Sequence, residues 1–182
     1  MNTKVNKPAA LLQSKQTLFH THDLAALWNI SNTNTLYTTI SRFVRGQTLI
    51  PIQKGLYSKI PLNQTDPLEL GVFLLHRYAY VSCETILTMT GIIHQAAYQY
   101  TLVSSVSKIY SLLTLNYKIR KLSEKYLFNT AGITTNERSI MTASTERAIA
   151  DLLYFQPTYH FDASATINWE KVKNIQQEEG YI

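Results

Sequence analysis

The sequence predicts an α+β fold arranged in two domains, and three observations lead to this prediction. Apolar residues recur three and four apart in some segments and alternate in others, as in amphipathic helices and half-buried strands. Pro61, Asn63 and Gln64 interrupt the apolar pattern between Ile60 and Thr65. Basic charge is concentrated before that interruption. We therefore expect one domain over residues 1–61 and a mixed α/β domain over 66–182.

The charge distribution favours a polyanionic partner for the first domain. The 182 residues carry a net charge of +5, but residues 1–61 carry +6, with Asp23 as their only acidic residue, and the rest of the chain carries −1. A local positive surface attracts polyanions through counterion release. Charge alone does not distinguish DNA from RNA or from an anionic membrane.

Three short helices and one strand are predicted in the first domain. The helices are expected over Ala9–Gln16, after a Thr21 cap, and from Thr33 to a stop at Gly46. Leu18–His20 is expected to be a strand, and Asn29–Asn32 a turn between the second and third helices. The inward positions of the second helix are Leu24, Ala25, Leu27 and Trp28, and those of the third are Leu36, Ile40, Phe43 and Val44.

A β-hairpin is predicted to close this domain. The apolar runs Leu49–Ile52 and Leu56–Ile60 flank Gln53-Lys54-Gly55, where Gly55 is free to adopt a positive φ. The order of helix, short strand, helix, tight turn, helix and hairpin is that of a winged helix-turn-helix.

The polar face of the third helix is the candidate DNA-binding surface. Its side chains suit base edges and phosphates in a major groove, and a basic residue at the hairpin tip suits a neighbouring phosphate or minor groove. The candidate residues are Asn34, Thr35, Tyr37, Thr38, Ser41, Arg42, Arg45 and Lys54. Two alternatives remain open: a winged-helix protein-interaction module without specific DNA binding, and an RNA-binding or nuclease-related protein.

The second domain is expected to open with two apolar helices. Asp66 suits an N-cap, Pro67 the first helical position and Glu69 the third position of a capping box, for a helix running to Tyr78. Ser82 is expected to cap the next helix, which stops at Gly91.

Two strands and one further helix follow in this domain. Tyr98, Tyr100 and Leu102 share a face of one strand, and Tyr117 and Ile119 share a face of another, with Lys118 and Arg120 opposite. Tyr126-Leu127-Phe128 is a third strand candidate. Ser144 is expected to cap a helix on which Arg147 and Asp151 form a surface pair.

One segment of this domain resembles a known family. The stretch from Ala143 to Tyr154 resembles the AbiEi family, the antitoxin and regulator half of type IV toxin-antitoxin systems, with Thr145 where the family usually has proline. Thr35-Leu36-Tyr37 and Gly55-Leu56-Tyr57 are similar to its recognition helix and wing.

The resemblance implies a DNA-binding repressor of its own promoter in an abortive-infection system. It also implies that the second domain counteracts a nucleotidyltransferase-like toxin, directly or indirectly. The residues themselves predict only a well-capped amphipathic helix at Ser144–Tyr154, with no catalytic role for Glu146 or Asp151.

The sequence predicts no enzyme active site, no cofactor and no metal. His20 and His22 would share a strand face, but no Cys, Asp or Glu motif completes a metal set, and no GxSxG, P-loop or GxGxxG motif occurs. Cys83 is expected to be a buried small hydrophobe. Without an apolar run of about 18 residues or a secretory leader, a cytoplasmic protein with no membrane partner is expected.

Overall fold

The computed structural model of the chain describes residues 5–94 and 98–182, and it has an α+β fold. The chain divides into two compact units, one ending at Asp66 and the other running from Pro67 to Ile182. The division lies beside the predicted linker Ile60–Thr65. Each unit has its own hydrophobic core.

The first unit combines three helices with a three-stranded antiparallel sheet. In chain order, the elements are α1 (Lys7–Gln13), β1 (Leu18–His20), α2 (Thr21–Trp28), α3 (Thr33–Arg45), β2 (Ile50–Gln53) and β3 (Leu56–Ser58). The sheet order is β1-β3-β2, with Tyr57 paired to Phe19 on one side and to Pro51 on the other. The predicted element order of this unit is confirmed, with shifted ends for α1.

The core of the first unit joins all three helices to the sheet. Trp28 and Phe43 bring α2 and α3 together, with ring centroids 4.8 Å apart. Leu36 and Ile40 are buried as predicted, whereas Phe43 and Val44 are only half-buried. The buried cluster consists of Leu11, Phe19, Leu24, Trp28, Leu36, Ile40 and Leu49.

The predicted cap of α2 is wrong by one residue. His20 is the N-cap, and its backbone N–H donates to the Asp23 carboxylate at 2.7 Å. Thr21 lies inside the helix, and its hydroxyl donates to the carbonyl of Gly55 at 3.3 Å. Because His20 ends β1 and His22 lies in α2, the two histidines do not share a strand face.

The C-terminus of α3 ends in a Schellman motif built on Gln47. Gly46 is the C-cap, as predicted, but its φ is −79°, and the left-handed residue is Gln47 at φ 55°. The backbone N–H groups of Gln47 and Thr48 donate to Val44 and Phe43 at 3.0 and 2.9 Å. Gly55, by contrast, has the positive φ of 80° expected in the hairpin turn.

The second unit is a six-stranded mixed sheet with helices on both faces. Its helices are α4 (Pro67–Leu75), α5 (Glu84–Met89), α6 (Glu124–Leu127), α7 (Thr145–Phe155) and α8 (Trp169–Glu179). Its strands are β4 (Ala79–Val81), β5 (Tyr100–Ser104), β6 (Lys108–Leu112), β7 (Leu115–Lys121), β8 (Ile133–Thr135) and β9 (Met141–Ala143). The strand order is β6-β7-β5-β4-β9-β8, with β5 parallel to β7 and β4 parallel to β9.

Tyr117 and Arg120 show which helix covers each face of this sheet. A Cβ at Gly71 of α4 would lie 2.6 Å from the ring of Tyr117, so α4 packs closely on the Tyr117 face. On the opposite face, Glu84 of α5 forms an ion pair with Arg120. The predicted alternation in β7 is confirmed, since Tyr117 and Ile119 are buried and Lys118 and Arg120 are half-buried.

Four predictions of helix and strand positions in the second unit are wrong. Tyr126-Leu127-Phe128 is not a strand, because α6 and its C-cap occupy these positions after Ser123. The first helix ends at Leu75 rather than at Tyr78, and β4 begins at Ala79. Ser82 does not cap α5; the N-cap is Cys83 at φ 52°, and the Ser82 hydroxyl donates to Asp151 at 2.7 Å. The strand predicted from Tyr98 begins at Tyr100, leaving Tyr98 exposed.

Candidate functional site

The exposed surface of α3 contains seven of the eight sequence-predicted site residues. Leu36, Thr39 and Ile40 are buried on the inner side of the helix. Asn32 caps the helix, its side-chain oxygen accepting from the backbone N–H of Thr35 at 3.0 Å. The seven side chains on the outer surface, all exposed, are Asn34, Thr35, Tyr37, Thr38, Ser41, Arg42 and Arg45.

The electrostatic character of this surface is positive. Arg42 and Arg45 lie in the last turn of α3, where a cation interacts favourably with the helix dipole. Neither has a carboxylate within ion-pair distance among the residues that the structure describes, and α3 itself contains no acidic residue. Both guanidinium groups are therefore available to an anionic partner.

The polar groups near the start of α3 differ in their freedom to bind. The Thr38 hydroxyl donates to the carbonyl of Asn34 at 2.8 Å, so toward a partner it acts as an acceptor. The Tyr37 side chain is 51% exposed. Thr38 therefore offers a binding partner a hydrogen-bond acceptor, and Tyr37 offers it an amphipathic ring.

Lys54 is carried by a different element from the other candidates. It lies in the turn between β2 and β3, beside Gly55, and it is exposed. Lys59, the other basic residue of the hairpin region, instead donates to the carbonyl of Ser14. Lys54 is thus the hairpin cation that remains exposed to a partner.

In the second unit, a buried network occupies the segment that carries the family resemblance. The predicted surface pair of Arg147 and Asp151 is wrong: both side chains have 0% exposure, and Arg147 Nε donates to Asp151 Oδ1 at 2.8 Å. Arg147 also donates to the carbonyl of Ala131 at 2.9 Å and to Glu179 of α8. Six consecutive residues of α7, Arg147 to Leu152, are buried, so the middle of this helix is enclosed on every side.

Hydroxyl groups complete this network around Asp151. The hydroxyls of Tyr80, Ser82 and Tyr181 donate to its carboxylate at 3.0, 2.7 and 2.7 Å. Sequence reasoning missed these three residues and Glu179, because nothing local to them signals a polar partner. The Ser144 cap of α7, in contrast, is confirmed: its hydroxyl accepts from the backbone N–H of Arg147 at 3.1 Å.

Burial shifts the pKa values of the tyrosines, Arg147 and Glu179 within the network. It raises the pKa of Tyr80 and Tyr181, and the neighbouring Asp151 charge raises both further, so these hydroxyls stay protonated donors. Burial would by itself lower the pKa of Arg147, but Asp151, Tyr80, Tyr181 and Glu179 together outweigh it, and the net shift is upward. Burial raises the pKa of Glu179 to about 7, against the lowering effect of Arg147. Because Arg147 and Asp151 are inaccessible to solvent, the role of the network is structural. It joins α7 to β4 through Tyr80 and to α8 through Glu179.

Among the residues that the structure describes, neither the cysteine nor the potential metal ligands form a further chemical site. Cys83 is fully buried, and burial raises the pKa of its thiol, which keeps it an inert side chain. Within residues 5–94 and 98–182, no three His, Cys, Asp or Glu side chains are grouped to hold a metal ion. Over the same residues, no helix combines the length and apolar character needed to span a bilayer.

Comparison with known proteins gives a similarity of fold. No family model and no curated protein matches the chain. Among solved structures, the chain is similar to the RV2827C protein from Mycobacterium tuberculosis, with a TM-score of 0.55 and 14% sequence identity. The similarity covers 96% of this chain and 73% of the mycobacterial one. At this level of sequence identity, the similarity is evidence of a shared fold alone.

Proposed function

We propose that this chain is a DNA-binding transcriptional autoregulator whose first unit is a winged helix-turn-helix. The observation that carries the proposal is the outer surface of α3, where seven exposed side chains include two arginines without acidic partners. Supporting it, α2 and α3 are joined by the turn Asn29–Asn32, and the β2–β3 hairpin follows with Lys54 at its tip. In this reading, α3 is the recognition helix and the hairpin is the wing.

The two ends of α3 have different roles in this proposal. Tyr37 and Thr38, near its start, read base edges, because the N-terminal residues of a recognition helix reach deepest into the major groove. Arg42 and Arg45 contact phosphates, which position the protein without reading sequence. Lys54 adds a phosphate or minor-groove contact from the wing.

For the second unit, we propose the antitoxin role that the AbiEi resemblance implies, in an abortive-infection system with a nucleotidyltransferase-like toxin. The resemblance lies in Ala143–Tyr154, where Arg147 and Asp151 are buried. These two residues therefore stabilise the unit, and any contact with a toxin falls to exposed side chains elsewhere on it. An autoregulator of this kind acts in the cytoplasm, where its promoter is.

Gel-shift titration of the full chain with its own upstream DNA tests the DNA-binding proposal. We expect specific binding that exceeds binding to a scrambled duplex, with log K falling against log[salt] at a slope near −3.6 if about four phosphates are neutralised. Arg45→Ala should weaken binding to both duplexes. Lys15→Ala is the matched control, because it removes one exposed cation outside the α3 surface.

Two results would contradict the proposal. Equal affinity for the upstream and scrambled duplexes would indicate a protein that binds nucleic acid without an operator. No binding at low salt would favour the winged-helix protein-interaction module instead.

A further inference from the structure

A cleft of about 790 Å³ in the first unit lies against the side of α3. Residues at the start of α1, at the end of α2 and in the second half of α3 line it, including Lys7, Trp28, Ile30, Thr39, Arg42 and Phe43. Its volume is within the range of about 300–1,000 Å³ that small-molecule sites occupy. The cleft is therefore large enough for an organic ligand.

The charged groups of the cleft lack a counter-ion. Lys7 Nζ donates to Thr39 Oγ1 at 3.5 Å, and neither Lys7 nor Arg42 has a carboxylate within ion-pair distance among the described residues. No acidic residue lines the cleft. Over residues 5–66 the acids are Asp23 and Asp66, and Asp23 accepts from the His20 backbone. Because the cleft has two cations and no acidic residue in its lining, it favours a ligand that carries an anionic group.

The apolar walls of the cleft are held in place by the core. Trp28 and Phe43 are in contact across α2 and α3, with ring centroids 4.8 Å apart. The Trp28 indole Nε1–H donates to the carbonyl of Lys7 at 3.2 Å, which ties the start of α1 to the end of α2. A bare phosphate ion would leave these apolar walls and most of the volume unused, whereas a ligand with an apolar ring would cover them.

We propose that the cleft binds a small organic anion whose carboxylate or phosphate meets Lys7 and Arg42 and whose apolar ring lies against Ile30 and Phe43. Arg42 belongs both to this cleft and to the outer surface of α3. An occupied cleft therefore withdraws one cation from DNA and acts as an effector site. Only this coupling to DNA rests on the proposed function; binding of the anion does not.

Fluorescence titration of the full chain with 1-anilinonaphthalene-8-sulfonate tests the site, because this probe joins an anionic group to apolar rings. We expect it to bind about tenfold more tightly than the neutral N-phenyl-1-naphthylamine, the size of one charge-assisted hydrogen bond. Lys7→Gln and Arg42→Gln should each weaken probe binding about tenfold. Lys15→Gln, which removes a cation outside the cleft, should leave it unchanged. Equal binding of the two probes, or an unchanged affinity in Lys7→Gln, overturns the proposal.

DNA titrations separate a free anion from a backbone phosphate as the natural occupant. We expect Lys7→Gln and Lys15→Gln to bind upstream DNA equally, and the sulfonate probe and DNA to lower each other's affinity by the same factor. If Lys7→Gln weakens DNA binding more than Lys15→Gln does, the cleft holds a backbone phosphate and the free-anion proposal is wrong. If the chain binds the probe as expected but binds no DNA, the proposed function fails and the cleft assignment stands.

Discussion

Arg147 and Asp151, one turn apart on α7, form an ion pair that is completely removed from solvent, with Nε and Oδ1 2.8 Å apart. Removing two charges from water is unfavourable unless the remaining hydrogen-bonding positions are filled. Here, Tyr80, Ser82 and Tyr181 supply donors to the carboxylate, and Ala131 and Glu179 accept from the guanidinium. The stability of the pair therefore depends on residues near the start of the second unit, Tyr80 and Ser82, and on residues near its end, Glu179 and Tyr181.

Removing one partner of this pair should strongly destabilise the second unit. Arg147→Met leaves the Asp151 charge buried without compensation, and we expect the free energy of unfolding to fall by about 3–5 kcal/mol. Urea unfolding followed by circular dichroism measures the change. Glu146→Gln, on the same helix and half-exposed, should stay within about 0.5 kcal/mol of the parent. An unchanged midpoint for Arg147→Met would show that the pair is not buried in solution.

Glu179 should make the second unit less stable as the pH rises from about 5 to 7.5. Burial raises its pKa in the folded state to about 7, from 4.5 in the unfolded chain. Between these values the folded state binds more protons, so stability falls with rising pH, by on the order of 2 kcal/mol.

The difference in unfolding free energy between the parent and Glu179→Gln isolates this effect. Contributions from the residues that the two proteins share cancel in the difference. Burial would raise the pKa of Glu84, but the hydrogen bond from Arg120, together with a backbone hydrogen bond and the charges of Arg120 and Lys118, outweighs burial; the net shift is downward, so Glu84 titrates below this pH window. A difference that stays constant from pH 5 to 7.5 would show that Glu179 remains ionised throughout.

Relieving the left-handed conformation of Gln47 should stabilise the first unit. Gln47 has φ 55°, and a left-handed conformation costs a non-glycine residue about 1 kcal/mol. Gln47→Gly should therefore raise the unfolding free energy by about 1 kcal/mol, and Gly55→Ala, at φ 80°, should lower it by a similar amount. Trp28 fluorescence in a Trp169→Phe background reports on this unit alone. Loss of stability in Gln47→Gly would mean that the glutamine side chain has contacts that outweigh the strain.

Substitutions along α3 should separate sequence reading from phosphate binding. Arg42→Ala and Arg45→Ala should weaken all duplexes about equally and flatten the salt slope by roughly one neutralised phosphate. Tyr37→Ala and Thr38→Ala should reduce the preference for the upstream site. All four side chains are exposed, so the unfolding free energy should change by no more than about 0.5 kcal/mol.

A toxin co-expression assay checks whether the two units act separately. With expression driven from an unrelated promoter, protection should survive all four α3 substitutions. Folded variants that lose both DNA binding and protection would show that one surface serves both activities.

Local sequence patterns predicted the first unit well because α3 is long enough to show a periodic apolar pattern and the hairpin is bounded by a clear turn signal. The repeat of Leu36, Ile40 and Phe43 identified α3 and its inner face, and Gly55 marked the hairpin turn. The same pattern predicted which α3 side chains would be exposed. Their contact with DNA stays a prediction. The cap of α2 was missed because histidine is not among the residues preferred at N-cap positions, although Asp23 accepts from the His20 backbone in a capping box.

Short elements in the second unit were less predictable. β4, β8 and β9 have three residues each, too few to establish an alternating pattern. β4 follows the first apolar helix of this unit closely, and the helix was predicted to run up to Tyr78, the residue before β4. Tyr126-Leu127-Phe128 has strand-like composition, but α6 and its C-cap form there, so tertiary context overrides a weak local preference.

The sequence by itself determined the α+β class, the concentration of positive charge in the first third and the polar face of α3, because periodicity and charge are local properties. Only the tertiary structure decided that Arg147 and Asp151 are buried. Two charges four residues apart on a helix form the same pattern at a surface or in a core. The difference comes from Tyr80, which is 67 residues from Arg147 in sequence, and from Glu179, which is 32 residues away. Burial depends on such long-range neighbours, which a local pattern does not contain.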